Sequence, residues 1–274
     1  MKYIKKLITQ KSWIKLAILL LGILPLIPFL LATCLITVYA YWPTDLNNFD
    51  LFAKDLKENQ NLTIIAHGVA DTNESWAQPL SNIIHQVKPN SKAIPVNWAY
   101  QARNAVSCAI NAHRIGKYIA TQLSDLQHLQ TIHLVGHSCG SHLTYAICKQ
   151  IKKVNPNIFV KTTYLDPASV YGLNWDYGIE NFGRCADRSI AFIDTKDSIP
   201  GSNVALPNAI TFDVSNLKGN KAINPHVWPT MFYQEYIARF PKLDLSSNAM
   251  TNNNKLIEVT EWNILETKQF VTAQ

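Results

Sequence analysis

The chain has 274 residues, enough for one large α/β domain or two small ones plus an accessory segment. Its formal charge of +6 suggests a polyanionic partner, but Lys2, Lys5, Lys6, Lys11 and Lys15 supply five of those charges near the N-terminus. What remains is nearly neutral and carries no basic stripe, which argues against a nucleic-acid partner.

The lysines lead into Leu16–Thr44, a run without a charged residue. A membrane-spanning helix needs about 20 apolar residues, whereas a secretory core segment has about 7–15. The run therefore reads as a span kinked at Pro25 and Pro28, with its lysine-flanked end in the cytoplasm. Tyr39, Tyr41 and Trp42 sit where an interfacial aromatic belt belongs. Two cleaved alternatives stay open: a signal-peptidase site at Val38-Tyr39-Ala40, and a loose lipoprotein box at Leu31-Ala32-Thr33-Cys34. Each reading makes residues 1–44 an anchor or signal segment and places residues 45–274 on the far side of a membrane. Four cysteines remain beyond it. Cys139 and Cys148 read as small buried thiols, and a bridge, if one forms, is assigned to Cys108–Cys185.

From Leu62 onward strands and helices alternate, which predicts a mostly parallel sheet with helices on both faces. Strands are expected at Leu62–Ala66, Ala93–Trp98, Thr131–Gly136, Ile158–Leu165, Ser189–Asp194 and Ala209–Val214. The clearest helix covers Arg103–Leu126, where Cys108, Ala112, Ile115, Ile119, Leu123 and Leu126 share one face. A closing helix is expected over Val227–Phe240. The tail contains Asn252-Asn253-Asn254, and Lys255–Val271 forms a last strand or helix.

The chain is organised around Gly136-His137-Ser138-Cys139-Gly140, which joins an apolar strand to a helical pattern at Leu143, Ala146, Ile147 and Ile151. In that context G-x-S-x-G is a nucleophile elbow: a strained turn lifts the Ser138 hydroxyl clear of the sheet, and glycines avoid collisions on either side. Chain order in such sites is serine, then acid, then histidine. Asp166 ends the strand after the elbow, and His226 lies in the loop after the last recognised strand. Asp197, in Asp197-Ser198-Ile199-Pro200, is the alternative acid. Among the other histidines, His137 adjoins the serine but is read as pointing elsewhere.

These residues resemble the pancreatic-type lipases within the α/β-hydrolases, over roughly Leu62 to Tyr236. The resemblance rests on Ile64-Ile65-Ala66-His67-Gly68, Val96-Asn97-Trp98, the helix of Ala105–Leu126, the elbow from His133 to His142, and Tyr164-Leu165-Asp166-Pro167-Ala168. It implies an α/β-hydrolase fold and a serine esterase or lipase that uses no cofactor and no metal. Ser138 becomes the nucleophile, Asp166 the acid and His226 the base, with an oxyanion hole formed by the backbone N–H groups of Cys139 and Val69. The chain departs from the family in having cysteine after the serine, no C-terminal β-sandwich, and no long lid before the histidine. Small or phospholipid-like esters therefore stay open as substrates. The segment Ser169–Arg184, with Tyr171, Leu173, Trp175, Tyr177 and Phe182, reads either as a cap or as a surface excursion packed on the sheet. A silent binding scaffold of the envelope and an acyltransferase with the same triad are the competing functional readings.

Overall fold

A computed structural model describes residues 12–24, 26–42, 56, 60–124, 126–219, 222–242 and 256–262. The chain divides into two compact units, Met1–Pro43 and Thr44–Gln274. Lys2, Lys5, Lys6, Lys11, Pro25 and the Asn252–Asn254 run lie outside the described residues.

In the first unit, residues Ser12–Tyr39 form a helical stretch of 28 residues with mean hydropathy 2.6 and no buried face, long and apolar enough to cross a membrane. Its last part is α1 (Leu26–Tyr41), and the preceding turn, Ile18–Ile23, is π-helical. There the Leu24 N–H bonds the Leu19 carbonyl, five residues back. Pro28 falls in the first turn of α1, where its missing N–H breaks no ladder. Thr33 and Thr37 donate their hydroxyls to the carbonyls of Phe29 and Thr33, so neither leaves a polar group unsatisfied.

The second unit is built on a seven-stranded sheet: β1 (Asn61–Ala66), β2 (Lys92–Pro95), β3 (Thr131–His137), β4 (Phe159–Leu165), β5 (Arg188–Ile193), β6 (Ile210–Asp213) and β7 (Leu256–Glu258). The spatial order is β2-β1-β3-β4-β5-β6-β7, and every pair is parallel. The central pairing sets Ile64 beside Leu134 and Ala66 beside Gly136. A parallel sheet is buried on both faces, and its strands are accordingly near-continuous apolar runs. Leu62, Ile64, Ile132, Leu134 and Val160 pack against α4 (Ala105–Ser124) and α5 (Gly140–Val154). The alternate residues Ile65, Val135, Leu165, Phe192 and Phe212 meet α2 (Ala77–Val87) and α7 (Trp228–Arg239) on the other face. Two short helices, α3 (Ala99–Ala102) and α6 (Tyr177–Asn181), and a 3-10 turn at Ser215–Lys218 lie in the connections.

Helix α2 is absent from the sequence expectation. At its third helical position Pro79 costs no hydrogen bond, and Ala77, Leu80 and Ile84 supply the buried stripe. The cysteine reading is corrected too. The bridges are Cys108–Cys139 and Cys148–Cys185, not Cys108–Cys185, and neither Cys139 nor Cys148 is a free thiol. The reason is topological. Helices α4 and α5 both follow parallel strands on one face, so they run in the same direction and their first turns lie side by side.

Candidate active site

The elbow is assembled by close approach of backbone to backbone. A Cβ on Gly140 would overlap the Ala66 and His67 carbonyl oxygens, and one on Gly136 would overlap Thr144 Oγ1 and the Gly140 carbonyl. Only glycine lets α5 start this near β1. Ser138 between them has φ of +54°, a left-handed conformation that costs a non-glycine residue roughly 1–2 kcal/mol. Neighbours over-determine it: its N–H donates to the Leu165 carbonyl at 3.0 Å, and its own carbonyl accepts from Ser141 (3.1 Å) and Ala168 (3.2 Å). The turn after β1 closes on the serine from the other side. A Cβ on Gly68 would lie 2.9 Å from Ser138 Cβ.

The two proposed oxyanion donors flank this point. Cys139 is the N-cap of α5, where the helix dipole favours negative charge. Val69 follows Gly68. Among the described residues neither N–H meets a backbone acceptor, whereas the next one, on Ala70, is satisfied by Ala102 at 3.0 Å.

His226 lies in the loop before α7, as its place in the chain required. Two carboxylates converge on its Nδ1. Asp197 Oδ2 is at 2.8 Å, a full hydrogen bond, while Asp166 Oδ2 stops at 3.7 Å. The favoured acid of the sequence reading is therefore the more distant one, and the alternative makes the short contact. The cause is local. Asp166 has φ of +39° and turns Oδ1 to accept from the Asp194 N–H at 2.8 Å, leaving Oδ2 buried without a hydrogen bond. Asp197 also accepts from the Ser198 N–H at 2.7 Å and from the Ser202 hydroxyl, which hold its carboxylate in place. Asp166 is fully buried, and desolvation pushes its pKa up to about 8, outweighing the nearby His226 ring and the Asp194 hydrogen bond. The His226 pKa is raised. Burial alone would lower it, but the nearby carboxyls of Asp166 and Asp197 outweigh that effect.

The Asp166 shift is a stability statement. An unfolded aspartate titrates near 3.9. The stability contributed by the protonated carboxyl is full below that value and is lost as pH rises through about 8. Asp166→Asn is neutral throughout, and asparagine tolerates positive φ. Its melting temperature is expected to exceed the parent's by a margin that widens from pH 4 to pH 9 in thermal denaturation. A margin constant with pH would show that Asp166 is ionised in the folded chain.

His137 was read as pointing away from the chemistry, and the structure shows otherwise. Its Nε2 donates to the His226 carbonyl at 2.8 Å, and the two rings lie 4.8 Å apart. Burial lowers its pKa to about 4, so it stays neutral beside His226. The signal was its position next to the serine at the end of a central strand. The segment Ser169–Arg184 divides in two. Tyr171, Tyr177 and Phe182 pack among His113, His142 and Tyr145, whereas Leu173 (96% exposed) and Trp175 (63% exposed) stand in solvent.

Part of the chain is similar to known proteins. Residues 47–178 match the family model "Lipase". A phospholipase A1 from Polybia paulista is 29% identical over 172 residues, covering 54% of this chain and 52% of that protein. Lipoprotein lipase from Rattus norvegicus is 27% identical over 160 residues, covering 54% of this chain but 32% of its own length. The chain thus spans about half, or less, of the curated relatives it matches. A lipase–esterase related protein from Clostridium acetobutylicum superposes with a TM-score of 0.42 at 11% identity, covering 67% of this chain and 96% of that one. With its parallel sheet and its elbow the chain has an α/β-hydrolase fold, and over residues 47–178 it is similar to the lipases.

Proposed function

We propose that the protein is a serine hydrolase of carboxylic esters, with Ser138 as nucleophile, His226 as base and Asp197 as the carboxylate that orients it. The observation that carries this reading is the 2.8 Å bond between His226 Nδ1 and Asp197, which fixes the proton on Nδ1 and leaves Nε2 as the basic atom. Ser138 Oγ attacks the ester carbonyl carbon as Nε2 takes its proton. The carbonyl oxygen becomes an oxyanion facing the Cys139 and Val69 N–H groups, and its collapse expels the alcohol, which receives the proton from Nε2. Water repeats the sequence on the acyl-enzyme and regenerates Ser138. No step calls for a cofactor or a metal.

The substrate we assign is a lipid acyl ester. The names of the partial relatives support it, as do the exposed apolar side chains of Leu173 and Trp175 on the excursion after β4, of Val227 next to His226 in the chain, and of Met231 on α7. The apolar N-terminal helix serves as the membrane anchor or signal, with the catalytic unit on the non-cytoplasmic side. Two disulfides suit an oxidising compartment.

A fluorophosphonate probe should label Ser138 in the intact chain, and the labelled protein should resist alkaline washing of membranes and be released by detergent. Absence of labelling in folded protein would favour the silent scaffold. A soluble labelled chain beginning at Tyr41 would identify Val38-Tyr39-Ala40 as a cleavage site and the product as secreted.

A further inference from the structure

The residue after the nucleophile is a disulfide-bonded cysteine, and the hydrolase reading gives that residue's backbone a task. We infer that the Cys108–Cys139 bridge is a positioning device for the oxyanion site, holding the Cys139 N–H in place by tying its residue to helix α4. The inference rests on the proposed role of that N–H in ester hydrolysis.

Three observations converge. Ser138 is in a left-handed conformation, and strained backbone persists only where its surroundings over-determine it. On the N-terminal side the restraint is plain, because the Ser138 N–H is bonded to β4. On the C-terminal side, the Cys139 carbonyl accepts from His142 within the same helix, and Cys139 has no side-chain cap hydrogen bond. The covalent link out of α5 at this residue is the bridge to Cys108, which is fully buried in the second turn of α4. Helix α4 is in turn seated on α5 at Gly116, where a Cβ would lie 2.6 Å from that of Ala146. The bridge therefore fastens the donor to a rigid neighbour rather than to a loop.

An oxyanion donor must sit about 2.7–3.1 Å from the developing charge, and misplacement by about 1 Å costs around 10²-fold in rate. A bridge that merely staples the unfolded chain has no such effect on turnover. The second bridge, Cys148–Cys185, supplies the control, since it leaves the same helix nine residues further from the elbow.

The experiment compares two double variants of the full chain, Cys108→Ala with Cys139→Ala, and Cys148→Ala with Cys185→Ala. The first is expected to lower kcat on a short chromogenic ester by roughly 10- to 100-fold, with KM within about twofold. It should weaken inhibition by an alkyl boronic acid, which forms a tetrahedral adduct on serine, by the same factor. The second should lower the melting temperature and leave kcat and boronate affinity within about twofold. If the first variant does not fold, the measurement moves to the folded Cys148→Ala, Cys185→Ala chain. A dithiol reduces its remaining bridge to two thiols and is itself oxidised to a cyclic disulfide. Turnover should then fall at unchanged circular dichroism, with maleimide added after denaturation counting two thiols more than the Cys34 thiol alone, and return on reoxidation. Equal losses in the two double variants, or undiminished kcat after complete reduction, would overturn the inference while leaving the hydrolase reading intact. A parent chain that neither hydrolyses ester nor labels at Ser138 would overturn both.

Discussion

Ser138→Ala is expected to reduce turnover of a chromogenic ester by about four to six orders of magnitude while leaving the melting temperature near the parent's. Removing a triad member typically leaves a rate some 10³–10⁴ above water, contributed by the oxyanion site and by binding. The substitution deletes one oxygen from a side chain whose backbone is held by Leu165, Ser141 and Ala168, so the fold has no reason to change. KM should move little. Undiminished hydrolysis by a folded Ser138→Ala chain would remove the nucleophile from the proposal, and with it the elbow's role.

The choice of acid gives the second large effect. Asp197→Asn keeps the shape of the contact to His226 but favours the wrong imidazole tautomer, with an expected loss of about 10⁴-fold by analogy with the serine protease triad. Asp166→Asn should cost far less, because its Oδ2 lies at 3.7 Å and its carboxyl is largely protonated at neutral pH. The pH profile separates orientation from charge. Catalysis needs neutral His226, whose raised pKa sets the acid limb of kcat/KM above the ordinary histidine value. Loss of the Asp197 charge stabilises the imidazolium less, so the limb should move to lower pH in whatever activity remains. A crippled Asp166→Asn beside an active Asp197→Asn, both folded, would return the acid to the end of β4.

Most of the fold was legible because the strands are apolar runs bounded by turn residues. Helix α4 declared itself through 20 residues of regular periodicity. The elbow was legible because its chemistry demands glycine at two fixed positions around the serine. Other features depend on geometry that spacing does not encode. Whether Asp166 or Asp197 reaches His226 turns on the φ of one residue and on which amide captures Asp166 Oδ1. The Cys108–Cys139 pairing depended on the rotational phase of two parallel helices, and the Cys148–Cys185 pairing on where the loop after α6 returns to α5. His137 lies on a strand whose residues alternate between faces, and only the fold shows that its face is the one beneath the His226 loop.

Ser138 and Asp166, at φ of +54° and +39°, are both non-glycine residues held in left-handed backbone at the catalytic end of the sheet. Each costs a free energy of order 1–3 kcal/mol that the rest of the domain must supply, against a net stability of about 5–15 kcal/mol. Activity and robustness are therefore opposed at Ser138. A selection for heat resistance alone, applied to this chain, would drift toward glycine at both positions and, by losing the serine hydroxyl, yield tougher proteins that no longer turn over ester. A selection for turnover would have to find its compensation elsewhere, in the packed faces of α4, α5 and α7.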